Sequence, residues 1–200
     1  MVRTIVASLL FLSVSLVASS QPKLLEHIPL EWKPTSNLRM GTTQMTTSTV
    51  TIGNFTDGRD NKEAIGENVE DSNPKPVTTT ADVGAFVAVH IRQLIGEAGI
   101  KSVDSNGAIL IKGEVTKFFV REGNTYKSEV ALQLVVSDAE GKVLWKGLAS
   151  GEATRFGRSY KAENYYEVLS DALVNTVSSM LQAAEFQRAL SGQASTYGSS

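Results

Sequence analysis

The residues best placed to do chemistry are Asp57, Arg59, Asp60 and Glu63, four charged groups within seven positions that follow a run of strand-forming residues. Carboxylates at this spacing could hold a divalent cation or act as an acid–base pair. They do not follow the calcium-loop pattern, which needs oxygen ligands at alternate positions closed by a distal glutamate. The plainer reading is a solvated loop in which Arg59 pairs with a neighbouring carboxylate, and it is the one we prefer. On that reading, replacing Asp57 and Asp60 together by asparagine leaves stability almost untouched. His27 has no visible partner, and His90 sits in helical register between Phe86 and Leu94 beside an apolar stripe. Two histidines without a cysteine make a poor metal site. The chain has no cysteine, which excludes disulfides, thiolate chemistry and a cysteine-linked lipid anchor. No Gly-x-Ser-x-Gly turn is present to support a serine nucleophile. The expectation is a protein that is not an enzyme, with no metal and no cofactor.

A second group of residues suits recognition better than reaction. Gly147, Gly151 and Gly157 punctuate a strand-like stretch that also carries Trp145 and Phe156, with Tyr160 close behind. Glycines in a strand mark bulges or the close approach of another backbone. Such a strand could accept a partner strand at its edge, or it could be a twisted edge curling over its own helix. The second option is preferred. Tyr160, Tyr165 and Tyr166 precede a helix that Asn164 could cap, and they serve either as an interface anchor or as the hydrophobic staple of that helix. The candidate partner-contact residues are therefore Asp57, Arg59, Asp60, Trp145, Tyr160 and Tyr165. Asn54-Phe55-Thr56 also matches a glycosylation sequon, a short and weakly informative motif.

The elements that must position these residues are readable from periodicity. Gly107 to Phe156 reads as three consecutive antiparallel strands, 108–121, 125–138 and 142–156, turning at Gly123-Asn124 and Glu140-Gly141. The middle strand alternates Val130, Leu132, Leu134 and Val136 on one face with Glu129, Gln133 and Ser137 on the other, the mark of a sheet with one packed face. An earlier strand lies within 42–54, strongest from Thr47 to Phe55. Residues 61–75 are acidic and aperiodic and read as a long mobile loop. A helix capped by Thr80 or Asp82 carries Val83, Phe86, Val87, Ile91, Leu94 and Ile95 on one face and stops at Gly99. A second helix spans about 162–190, with Leu169, Leu173, Val177, Met180, Leu181 and Ala184 as its stripe. The expected fold is a two-layer α+β sandwich, in the order β-α-β-β-β-α, with a four-stranded and mainly antiparallel sheet and two helices on one face.

Composition bounds the rest. The 200 residues, 42% of them hydrophobic and 20% charged, suit one domain with tails. Residues 1–20 read as a signal peptide: Arg3, an apolar run from Ile5 to Val17, then Ala18-Ser19-Ser20 before Gln21. The alternative is an uncleaved amino-terminal anchor, for which the apolar run is short. Removing the leader leaves 18 basic against 21 acidic residues. That balance lacks the basic stripe of a nucleic-acid binder and any cationic run for anionic lipid. Residues 21–44 form a proline-containing lead-in, either packed on the domain in extended form or serving as a spacer. The domain occupies 45–190, and the Ser- and Gly-rich tail 191–200 reads as disordered.

The ordered set of Asp57-Gly58-Arg59, Val83–Ile100, Leu110-Ile111-Lys112-Gly113-Glu114-Val115, the Gly123-Asn124 hairpin, Val130–Val136, Lys142-Val143-Leu144-Trp145-Lys146-Gly147 and Tyr166–Ala184 resembles the YajG-type lipoproteins of Gram-negative bacteria. The likeness covers about residues 45–190 and rests on pattern and order. A looser likeness exists to auxiliary lipoproteins of envelope transport systems. The resemblance implies an exported, non-enzymatic envelope protein facing the periplasm, an adaptor or accessory subunit with an envelope protein partner. The lipidated cysteine of those proteins is missing here. Membrane association would then run through a partner or an uncleaved leader, peripheral to the outer membrane. The competing expectation is a periplasmic binder of a small ligand, a lipid or a peptidoglycan fragment, held between sheet and helices.

Overall fold

The computed structural model describes residues 24–39 and 48–194; the leader, the amino-terminal part of the first expected strand and the end of the tail lie outside them. The chain forms β1 (Val50–Asp57), β2 (Ala64–Asn68), β3 (Lys75–Thr78), α1 (Val83–Glu97), β4 (Ser102–Val103), β5 (Ile109–Glu122), β6 (Thr125–Asp138), β7 (Val143–Phe156), α2 (Ala162–Gln182) and α3 (Ala184–Leu190). The class is α+β. Among the described residues, seven strands and three helices replace the four and two expected, and the sheet is mixed rather than mainly antiparallel.

The meander β5–β6–β7 is the trunk of the sheet, each strand 14 residues long and antiparallel to the next. Its inner face carries Ile109, Ile111, Val115, Phe118 and Val120 from β5 and Val130, Leu132, Leu134 and Val136 from β6, all essentially inaccessible. The far side of β5 is long enough to take two partners end to end. β1 pairs in parallel with residues 109–115, and β2 pairs in parallel with residues 120–122. β4 adds to β1 and β3 adds antiparallel to β2. The acidic 61–75 stretch is therefore no uniform loop: it contains β2 and delivers the chain into β3. β3 holds Pro76, which an edge strand tolerates because its outward amide needs no ladder partner.

α1 begins where Asp82 accepts from the Ala85 amide at 2.9 Å and ends at Gly99, whose φ of 78° supplies the left-handed stop. The second expected helix breaks at Ala183, whose extended backbone separates α2 from α3. Asn164 lies inside α2 rather than capping it; its amide donates to Tyr126 Oη at 3.1 Å. Ala184, assigned above to the buried stripe, is exposed, whereas Phe186 and Leu190 of α3 are buried.

The lead-in packs against the domain. Leu25 and Ile28 exchange backbone bonds with Thr78. Asp171 of α2 then accepts from the amides and hydroxyls of both Thr35 and Ser36, and Arg39 N–H reaches Ser178 Oγ. Burial alone would raise the Asp171 pKa, but these four donors favour its charged form and hold it below the ordinary value. Trp32 on this strap stacks on His90 with ring centroids 4.2 Å apart, which accounts for the histidine beside the apolar stripe of α1.

Candidate functional site

Arg59 sits in the gap between β1 and β2. Its Nε and Nη2 donate to the two carboxylate oxygens of Asp57 at 2.9 and 2.8 Å, Nη2 also reaches Lys62 O, and Nη1 reaches Ala64 O and Phe118 O. A guanidinium has five N–H donors, so this set occupies all of them. The geometry has a cause. β1 and β2 leave the β5 ladder interrupted near its bulge at Val115–Lys117, and Arg59 supplies the donor that the Phe118 carbonyl lacks there. Arg59 is 8% exposed. The pairing with a neighbouring carboxylate is present, but the solvated setting is not. Burial pushes the Asp57 carboxyl up, and the hydrogen bonds and charge of Arg59 outweigh it, leaving the pKa lowered.

This revises the effect of the asparagine substitutions. Asp57→Asn is expected to cost about 2 kcal/mol, because one bidentate partner of a buried cation is lost. Asp60→Asn, at an exposed position, should stay within about 0.5 kcal/mol. Urea unfolding of the two single variants checks this; equal midpoints would remove the plug role of Arg59.

A second polar cluster sits at the other end of β5. Glu122 has no accessible surface, yet no cation pairs with it among the described residues. Its Oε2 accepts from Tyr165 Oη at 2.7 Å, and its Oε1 accepts from the Tyr160 and Ser159 amides at 2.8 and 3.1 Å. Burial would raise its pKa, but the bonds from Tyr126, Tyr165, Asn68 and Tyr160 hold it below the ordinary value. Burial and the same carboxylate push the Tyr165 phenol well above its ordinary range. The cluster pins the β7–α2 connection, where Tyr160 takes a left-handed backbone with φ of 40°.

These two clusters account for several candidate contact residues. Arg59, Trp145 and Tyr165 are buried in the chain's own interior, Trp145 edge-on to Phe186 at 5.5 Å. Asp57 is occupied by Arg59. Tyr160 is half-buried and donates to Pro76 O, and Asp60 is exposed. The structure does not bring the six together into one surface. Among the described residues no three His, Cys, Asp or Glu side chains converge as a metal site would require. No helix of the described residues is long and apolar enough to cross a membrane.

What the fold does leave open is the outer face of the sheet. Among the described residues the helices lie on the inner face, and the outer positions of β5, β6 and β7 have no element packed over them. Lys117, Arg121, Lys127, Glu129 and Glu152 surround Phe119 there, in a shallow depression of about 450 Å³. On β7 Leu148 and Phe156 project furthest of the exposed apolar side chains, at 78% and 89% exposure, with Val143 less so at the start of the strand. Neither Leu148 nor Phe156 was singled out as a contact from sequence; the strict alternation of β7 around Leu148 was the available signal. A separate open groove of about 820 Å³ runs between the edge of β1 and the β3–α1 connection, lined by Asn54, Thr56, Lys62, Glu63, Thr80 and Asp82 among others.

No family model matches the sequence, and no curated protein does. Solved structures resemble it in fold. Protein XCC0632 from Xanthomonas campestris, of the DUF330 family, superposes with a TM-score of 0.51 at 7% identity, over 74% of this chain and 90% of that one. Weaker likenesses include PelC from Paraburkholderia phytofirmans, a dodecamer, with a TM-score of 0.41 at 13% identity over 80% of this chain and 100% of that one. They also include the lipoprotein GNA1162 from Neisseria meningitidis, with a TM-score of 0.35 at 10% identity over 59% of this chain and 90% of that one. At these identities the likeness concerns the fold alone.

Proposed function

We propose that this protein is an exported, non-enzymatic component of the bacterial envelope, related in build to the YajG-type lipoproteins, that works in the periplasm as an adaptor holding a protein partner on its outer sheet face. The observation that carries the reading is the asymmetry of the two faces. The layer between sheet and helices is filled, from Val50 through Leu134 to Val177 and Phe186, whereas no described residue covers the opposite face of the three long strands, which presents Leu148 and Phe156. Projecting apolar side chains on an uncovered sheet face suit a docking surface better than a reaction centre. The leader-like amino terminus supports export, and the fold shared with XCC0632 is compatible with this assignment. With no cysteine in the chain, attachment would run through the partner or an uncleaved leader.

The buried core that occupies the layer between sheet and helices speaks for the outer face over a lipid or small ligand held inside. The groove beside β1, where Lys62, Glu63 and Asp82 meet Phe55, Val83 and Ala88, is the observation that favours a binder. Host membranes washed with high salt and then carbonate separate the two readings. The adaptor predicts retention through one stoichiometric protein, crosslinked from position 156 and lost in Phe156→Ser, whose thermal unfolding should be unchanged at so exposed a position. Full release with no stoichiometric partner overturns it and directs attention to the groove.

A further inference from the structure

β7 pairs with β6 alone among the described residues, so its other edge, 14 residues long, is open. Long open edges attract other strands and are usually blunted. Here the protection is slight: the Asn175 amide of α2 donates to Glu152 O at 2.8 Å. That contact also fixes which groups face outward. Ser128 Oγ reaches Ala153 O from the β6 side, so Ala153 turns its carbonyl inward and Glu152 turns its own outward. By alternation, residues 146, 148, 150, 152 and 154 offer their N–H and C=O to an incoming strand.

We propose that the occupant of this edge is a second copy of the chain, paired antiparallel about a two-fold axis at Ala149. In that register Lys146 faces Glu152 of the second copy, and does so twice. Leu148 faces Ser150, and the two Leu148 side chains lie one diagonal step apart, within reach of each other. On the helix side Trp145 faces Ala153, Gly147 faces Gly151 and Ala149 faces itself, so each large residue meets a small one. The neighbouring registers lack this match. A shift of the axis to Leu148 sets Lys146 against Ser150 and Leu144 against Glu152; a shift to Ser150 sets Lys146 against Thr154 and Leu148 against Glu152. The Glu152 carbonyl has two lone pairs, so the bond from Asn175 leaves one for the partner's amide. The exposure of Leu148 follows, because its neighbour lies on the other copy. The paired edges would join the two outer faces into one continuous surface. This inference stands independently of the adaptor reading, since it concerns the purified chain alone.

Charge reversal tests it. Sedimentation of the purified protein up to about 100 μM, where an edge contact of this size is populated, should show a dimer. Lys146→Glu sets like charges opposite each other at both pairs, as does Glu152→Lys, and each should weaken the dimer by about tenfold or more. Both positions are exposed, and thermal melts of the variants verify that they remain folded. Mixing the two variants restores both complementary pairs, so equimolar mixtures should sediment as a heterodimer, and the double variant should dimerise by itself. A change in monomer stability could not produce recovery on mixing. A protein monomeric throughout, or a dimer indifferent to both reversals, overturns the proposal. Loss in each variant without recovery on mixing overturns the register at Ala149.

Discussion

Glu122→Leu is expected to lower the melting temperature by about 10 °C, although the leucine fits an interior position at the end of a strand. The substitution removes the acceptor of the Tyr165 hydroxyl and of the Tyr160 amide, and each buried donor left unpaired costs about 1–3 kcal/mol. For a domain of this size each kcal/mol corresponds to about 2–4 °C. Tyr160 adds to the loss, since its left-handed backbone is held by the same carboxylate. The effect carries a pH signature. Because the folded pKa of Glu122 is lowered, its contribution is fully present above the unfolded carboxylate value and is lost as pH falls through the folded value. The stability difference between the native protein and Glu122→Gln should therefore be constant from about pH 7 to pH 5 and shrink below about pH 4. Chemical denaturation across that range is the measurement. A gap that does not change down to acid pH would mean that the carboxylate is not charged in the folded state.

Gly151→Val is expected to abolish the cooperative fold. A Cβ at this position would lie 2.3 Å from Thr176 N and 2.6 Å from Ala172 O, both backbone atoms of α2 that cannot turn aside. The helix would have to leave β7, exposing the packing of Ala172, Leu173, Val177 and Met180 against the sheet, at a cost comparable with the whole stability of a domain. Circular dichroism melts should show no transition, or one more than about 15 °C lower. Gly96→Ala is the control. It sits in α1 with nothing within 4 Å of a new Cβ, and should raise stability by about 0.5–1 kcal/mol. A Gly151→Val protein that melts like the native one would mean that α2 does not pack on β7 as described.

The legible parts of the fold were those whose signal lies within one element. The alternation in 125–138 gave the buried face of β6, and the register of Val83, Val87, Ile91, Leu94 and Ile95 gave the buried face of α1. β2 was missed because Ala64–Asn68 is short and half polar; it is a strand only because residues 120–122 of β5, far along the chain, offer a free ladder. β3, with its proline, depends in turn on β2. The break at Ala183 is equally non-local, since helix propensity runs unbroken through 182–186 while α3 turns to bury Phe186 against Trp145.

The same division applies to the candidate residues. Asp57 and Arg59 stood out by type and spacing, and their pairing followed from proximity alone. Whether that pair faced water depended on the interruption between β1 and β2, which is a property of the sheet. Glu122 carried no signal of its own beside the Gly123-Asn124 hairpin, and Tyr165 stood open between an interface anchor and a helix staple, until the β7–α2 connection folded over both. By itself the sequence determined the trunk of the protein, three long strands and two amphipathic helices, because periods of 2.0 and 3.6 are written in consecutive residues. Only the tertiary structure decided which charges are buried, which strands share β5, and which sheet face and which edge stay open, because each depends on partners distant in the chain.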